Sequence, residues 1–232
     1  MRCAAEAVVF DMDGVLVESE HLWEELWTAF AARRGAAWTA EQTRTVQGMS
    51  APEWAAHLAA FSGLGTDDGS VGATEHEVVD GMIAALEGGR IELLDGAREM
   101  VVAVSDRAPI ALASSAPRRV IDAVLDHHGL TRRFTATVSS AEVPRGKPAP
   151  DVYLAAAERL GAAPARCLAV EDSSNGLRAA AAAGMTVVAI PNPTYPPAQD
   201  ALAQAALAAR DHAEVRDFLL ANLAGTTEGA AR

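Results

Sequence analysis

Cysteine is scarce in this 232-residue sequence, which has only Cys3 and Cys167. Two thiols can make neither a disulfide framework nor a four-sulfur zinc site, so free thiols in a reducing compartment are expected. Long hydrophobic runs are absent too: none approaches the roughly 18 apolar residues of a membrane helix. The opening MRCAAEAVVFDMDG meets acids too soon to resemble a secretory signal. The sole Asn-x-Ser/Thr match, Asn192-Pro193-Thr194, is disqualified by its central Pro. A cytoplasmic protein with no membrane partner is the expectation. Basic residues are outnumbered, 19 Lys and Arg against 31 Asp and Glu, for a formal charge of -12. That field repels a polyanion and argues against nucleic acid. A small anionic substrate stays open, because a metal or a local Lys reverses the sign inside one site. Aromatics make up only 5% of the chain, yet 50% is hydrophobic and 22% charged. A core is therefore affordable and wholesale disorder is excluded. Abundant alanine favours helices over an all-β fold.

Ala7-Val8-Val9-Phe10 is too short for a helix and stops at Asp11, so it reads as a buried parallel strand. From about residue 21 to 87 the pattern is helical over 21–34, 40–46, 52–61 and 75–86, with a polar connector at 66–72. After Gly88-Gly89 the pattern alternates. Helices are expected over 95–106, 117–128, 151–160 and 174–183, and strands over 109–113, 135–139, 166–170 and 186–190. Repeated strand–helix units imply a parallel sheet covered on both faces. The expected fold is α/β, a three-layer core over 1–18 and 90–225. A small helical insertion would occupy 19–89, with a flexible tail at 226–232.

Open parallel sheets bind ligands beyond the carboxyl ends of their strands. The strand ends here deliver Asp11-Met12-Asp13-Gly14, then Ser114-Ser115, then Glu171-Asp172, and the loop after the third strand carries Arg145-Gly146-Lys147-Pro148. Four acids so close together repel one another unless a cation sits among them. Oxygen ligands without thiolate suit Mg²⁺ before Zn²⁺. The set fits phosphoryl transfer. Asp11 would be the nucleophile that forms an aspartyl phosphate. Asp13, two residues on and on the same side of an extended backbone, would be the general acid and then base. Lys147 and Mg²⁺ would offset the phosphoryl charge. Ser114 would hold phosphoryl oxygens, and Glu171 and Asp172 would hold the metal.

Asp11-Met12-Asp13-Gly14-Val15-Leu16-Val17-Glu18-Ser19, Ser114, Gly146-Lys147-Pro148 and Val170-Glu171-Asp172-Ser173-Ser174-Asn175-Gly176 resemble, in order, the four motifs of the haloacid dehalogenase superfamily. The likeness is strongest to its β-phosphoglucomutase-like branch and spans about residues 7 to 190. It implies a Rossmann-like core with an inserted helical cap, Mg²⁺ dependence and Asp11 as nucleophile. It also implies that Asp13 binds the metal through its main-chain carbonyl while its side chain does acid–base work. The mutase's phosphate-gripping cap Arg is replaced here by Ala51, after Gly48-Met49-Ser50, and a cap His of the mutase aligns with Trp23. The chain therefore resembles a hydrolase more than a mutase. No Lys occurs before residue 147, which argues against the Schiff-base chemistry of the phosphonate-cleaving relatives.

The expectation is thus a Mg²⁺-dependent phosphatase acting on a small phosphorylated metabolite, such as a sugar or polyol phosphate. The chain would be a monomer or weak homodimer. The rivals are a phosphomutase and a non-catalytic phospho-ligand binder. Ser115 and Arg118 are further substrate-binding candidates. Trp23, Trp27, Trp38 and Trp54 read mainly as core, with one or two against the substrate. His127-His128 is a poor chelate, since adjacent helical side chains point about 100° apart. Glu18 and His21 are left open as substrate contacts.

Overall fold

The computed structural model describes residues 4–46, 48–192, 194 and 196–224. Cys3, Pro193 and the tail at 226–232 lie outside the described residues. Six strands, β1 (Ala7–Phe10), β2 (Ile110–Ser114), β3 (Ala136–Ser139), β4 (Cys167–Glu171), β5 (Thr186–Ala189) and β6 (Leu207–Ala208), form one parallel sheet. Its order is β3-β2-β1-β4-β5-β6, the doubly wound order whose switch point lies between β1 and β4.

Alternation along the strands sorts the core into two layers. Val8, Phe10, Ile110, Leu112, Leu168, Val170 and Val188 share one cluster with α5 (Ala97–Ser105), α6 (Arg118–His127) and α10 (His212–Asn222). The intervening Ala7, Val9, Ala111, Ala113, Ala169 and Ala189 face α7 (Asp151–Leu160), α8 (Ser174–Ala182) and α9 (Gln199–Leu202). Burying each large side chain contributes about 1.5–3 kcal/mol. The alanine-lined face contributes less per residue but lets α7 and α8 approach closely, which brings their ends to the sheet's carboxyl edge.

Between β1 and α5 come α1 (Glu20–Ala32), α2 (Ala40–Val46), α3 (Ala51–Phe61) and α4 (Asp68–Glu87). Helical spacing puts Leu22, Trp23, Trp27, Phe30 and Ala31 on one buried face of α1. Trp27 lies 6.0 Å from Trp23, 6.0 Å from Trp54 and 6.2 Å from Trp38, centroid to centroid. The chain enters and leaves this helical segment by two adjoining strands of backbone. Val17 bridges Leu93 in antiparallel fashion, and Leu94 N–H donates to Leu16 O at 2.9 Å. No helix among the described residues is long and apolar enough to cross a membrane.

Two expectations need correction. Residues 66–72 are not all connector: α4 begins at Asp68, because Asp67 caps it by accepting from Ser70 N–H at 3.1 Å. Its early turns carry few apolar residues, which hid the helix. The chain past residue 190 also carries α9, β6 and α10. Its two-residue strand and alanine-rich flank give no periodic signal. α10 matters to the site, since His212 Nε2 lies 2.7 Å from Val15 O and steadies the loop after β1.

Candidate active site

Parallel strands deliver their last residues to one edge. Asp11 follows β1, Ser114 ends β2, and Glu171 ends β4 with Asp172 next. Lys147, the chain's only lysine, enters from the β3–α7 loop, where its peptide to Pro148 is cis. Lys147 Nζ donates to Asp11 Oδ1 at 2.8 Å and to Glu171 Oε1 at 2.6 Å. Asp11, Lys147, Glu171 and Asp172 are all at most 6% exposed. Glu171 is held from every side. Tyr153 O–H donates to Oε1 at 2.9 Å, and Oε2 accepts from Asp172 N–H, Ser173 N–H and Ser173 O–H, each at 3.0 Å.

Two glycines make this crowding possible. Gly14 has φ +75°, and a Cβ there would lie 2.1 Å from Asp172 Oδ2. A Cβ on Gly176 would lie 1.6 Å from Glu171 Oε1. Any side chain at either position displaces a carboxylate of the cluster.

Asp13 points elsewhere. Its Oδ1 accepts from Trp23 Nε1–H at 3.2 Å and from the Ser19 hydroxyl. Burial raises its pKa, while those two donors pull it back. Burial likewise pushes Asp11 from 3.8 to about 8, with Lys147 opposing and Glu171 and Asp13 adding to the rise. Asp172 is raised well above the usual carboxylate range by burial and by Glu171. Lys147 is raised by Asp11 and Glu171 against the effect of its own burial.

Ligand oxygens of Asp11, Glu171 and Asp172 lie within 4.8 Å of one another. Three buried carboxylates share one ammonium, so the cluster is short of positive charge. Such an all-oxygen set fits a hard divalent cation. The Asp13 side chain is outside this trio.

Above the carboxylates lies a cavity of about 90 Å³. Asp11, Asp13, Lys147, Asp172 and Ser173 form its floor, and Trp23, Trp27, Trp54, Val46 and Met49 its wall. Glu20, Thr43, Gly48, Ser115 and Ala116 complete it. Ser115 donates to Gly48 O at 3.1 Å, joining the β2–α6 loop to the inserted helices.

Two expected substrate contacts sit differently. Ser114 is fully buried and is not among the lining residues, and its Oγ accepts from Ala116 N–H at 3.0 Å. It shapes the loop that the cavity meets. The structure does not bring Arg118 to the cluster at all. Its guanidinium donates to Glu142 at 2.6 Å and to Thr137 O at 3.0 Å, because two acceptors on the β3 side outcompete a distant cavity. Glu18 and His21 face each other at 3.4 Å and line no part of the cavity. His128 Nε2 lies 3.1 Å from Ile91 O, and neither His127 nor His128 joins an acidic cluster.

Sequence reasoning missed Tyr153, whose hydroxyl reads as an ordinary helix face until α7 is docked. It also missed Ser19 and Trp23 as partners of Asp13, and Glu20 as a cavity residue. Their spacing from Asp13 was visible, but the turn that folds α1 back over the strand was not.

Comparison with known proteins agrees with this geometry. The haloacid dehalogenase-like hydrolase family profile matches residues 5–184. Validoxylamine A 7'-phosphate phosphatase of Streptomyces hygroscopicus subsp. limoneus is 30% identical over 213 residues, covering 91% of this chain and 96% of its own. Hexitol phosphatase B of Escherichia coli (strain K12) is 33% identical over 196 residues, covering 81% and 84%. The crystal structure of β-phosphoglucomutase from Clostridium difficile superposes with a TM-score of 0.80 at 22% identity, covering 94% of this chain and 96% of that one. That last likeness speaks to fold alone.

Proposed function

The chain belongs to the haloacid dehalogenase-like hydrolases, an enzyme family with phosphatases among its relatives, and we propose that it is a Mg²⁺-dependent phosphatase of small sugar or polyol phosphates. The observation that carries this reading is the buried Asp11–Lys147–Glu171 chain of contacts beside Asp172. It supports reading Asp11 as nucleophile, Lys147 as a fixed cation and the three carboxylates as an oxygen-only metal seat. The names of the two relatives, a validoxylamine A 7'-phosphate phosphatase and a hexitol phosphatase, support the substrate class.

In this reading Asp11 Oδ attacks phosphorus in line while the bond to the leaving oxygen breaks. Asp13 gives that oxygen its proton, and the alcohol leaves. Water then attacks the aspartyl phosphate, passes its proton to Asp13, and Asp11 is regenerated as inorganic phosphate departs. Asp11, Glu171 and Asp172 would hold Mg²⁺, which when bound supplies charge neutralisation at the phosphoryl oxygens. Lys147 orients Asp11 and offsets phosphoryl charge. Trp23 and Ser19 aim the Asp13 carboxyl. The inserted helices would act as a cap that closes over bound substrate and excludes water.

A mutase must also grip a second phosphate. Lys147 is the one cationic side chain among the described residues lining the cavity, and Ala51 is buried at the start of α3. Both features favour hydrolysis. The test is phosphate release from an aryl phosphate and from a hexose 1-phosphate, with Mg²⁺ and with EDTA. Release that requires the cation is expected. Stoichiometric conversion to the 6-phosphate without release would make it a mutase, and no turnover of any ester would make it a binder.

A further inference from the structure

Tyr153 is the largest fully buried side chain among the described residues. It sits in the first turn of α7, on the buried face with Val152, Ala156 and Ala157. Apolar packing at such a position needs only the ring. The hydroxyl needs an acceptor, and the acceptor it reaches is a carboxylate of the cluster. On the phosphatase reading above, we propose that Tyr153 is a positioning residue. Its hydroxyl shares the charge of Glu171 Oε1 and so keeps the Lys147 ammonium available to Asp11 and to the phosphoryl group.

The two oxygens of Glu171 are held differently. Oε2 accepts from Asp172 N–H, Ser173 N–H and Ser173 O–H, each at 3.0 Å, and those three donors fix the carboxylate plane. Oε1 accepts from Lys147 Nζ at 2.6 Å and from Tyr153 O–H at 2.9 Å. Orientation of the carboxylate therefore does not depend on Tyr153. Charge sharing does. An ammonium carries three N–H groups. Lys147 spends one on Glu171 and one on Asp11 Oδ1, at 2.8 Å, which leaves the third for a phosphoryl oxygen. Two buried carboxylates thus compete for one cation, and the shorter contact is already to Glu171. A neutral donor on Oε1 weakens that pull; without it the ammonium is drawn further toward Glu171 and away from the reacting group.

The ring acts on the same cation. Lys147 Nζ lies 5.1 Å from its centroid, within the range of a cation–π attraction. Tyr153→Phe keeps this attraction and removes the hydroxyl alone. Tyr153 is not among the residues that line the cavity, so it acts on substrate only through Lys147 and Glu171.

The experiment compares the full chain with its Y153F variant, using an aryl phosphate at saturating Mg²⁺. Phe leaves no acceptor unpaired, because Oε1 still accepts from Lys147. Orthovanadate adopts the five-coordinate geometry of the transition state, so its Ki reads charge offset there; the Ki of inorganic phosphate reads the ground state. Y153F should raise the vanadate Ki about tenfold and lower kcat by a similar factor. KM and the phosphate Ki should stay within about twofold. Neither Ki depends on the fraction of folded enzyme, so partial misfolding does not produce that split. Mg²⁺ affinity by calorimetry should stay within about threefold. An unchanged vanadate Ki would overturn the proposal. Equal weakening of vanadate and phosphate would reduce Tyr153 to packing, and a tenfold loss of Mg²⁺ affinity would assign it to the metal seat; either result overturns its action through Lys147. All three outcomes leave the phosphatase reading intact, whereas no cleavage of aryl phosphate by the wild type would sink both.

Discussion

The floor of the cavity and its wall are built on opposite plans. Every oxygen of Glu171 is occupied by a donor, and Asp11 and Lys147 hold each other. The floor draws on residues from β1, the β3–α7 loop, α7 and β4, far apart in sequence and locked by the sheet. The wall comes from one run of four helices, is packed from indoles and carries an unmet N–H. A saturated floor has one arrangement that works and fixes the reaction. A wall held by apolar packing tolerates substitution, so it can be retuned without disturbing the chemistry beneath.

The sharpest way to break this contrast is at the floor. Asp11→Asn removes the proposed nucleophile, and kcat for an aryl phosphate should fall by about 10³-fold or more. Activity near wild type would end the role given to Asp11. Gly176→Ala comes next. Its methyl group falls on Glu171, so thermal unfolding should show a loss of about 3 kcal/mol or more, with weakened Mg²⁺ binding by titration. An unchanged Tm would show that the carboxylate shifts freely.

The cation-free floor also has a pH signature. Folding raises Asp11 from 3.8 to about 8 and raises Asp172 as well. The folded chain thus keeps protons that the unfolded chain releases, and stability in EDTA should fall as pH rises from about 4 to about 8. Mg²⁺ needs the carboxylates ionised, so its stabilisation should grow over the same range. The Tm gap between Mg²⁺ and EDTA should therefore widen from pH 5 to 8; a constant or shrinking gap contradicts the shared-cation floor.

Smaller effects are expected where floor and wall meet. Trp23→Phe keeps the ring but removes the donor that lowers the Asp13 pKa. The alkaline limb of the kcat/KM profile should move to higher pH, with kcat reduced about 3- to 10-fold. A profile that stays in place would separate Trp23 from proton transfer. Arg118→Ala should be the mildest, within about twofold in kcat/KM, since its partners are Glu142 and Thr137. A large KM increase for sugar phosphates would restore Arg118 to the substrate.

How much of this was legible in sequence follows from how far each signal reaches. The strand that ends at Asp11 and the acids after β4 were readable because a short apolar run stopped by a carboxylate is a local pattern. The parallel sheet was readable from the alternation of such runs with helices. Lys147 stood out between Gly146 and Pro148. The partners of Arg118 were not legible, because a basic residue in the first turn of a helix near a strand end says nothing about which acceptors lie across the sheet. Tyr153 was invisible for the same reason: its meaning depends on how α7 docks on β1 and β2. The partners of Asp13 on α1 needed the turn through Gly14, and α10 needed the packing that places His212 under Val15.

The paired crossing at Val17 and Leu93 has one more consequence. Departure and return share a single doorway, a bridge width apart. A stretch of gene encoding what lies past that doorway is a cassette: it can be lengthened, trimmed or exchanged while the two threshold strands stay paired. New specificities are thus open to evolution, and to the engineer, by splicing near Val17 and Leu93, far apart in the gene but paired in the fold, rather than by rebuilding the catalytic edge.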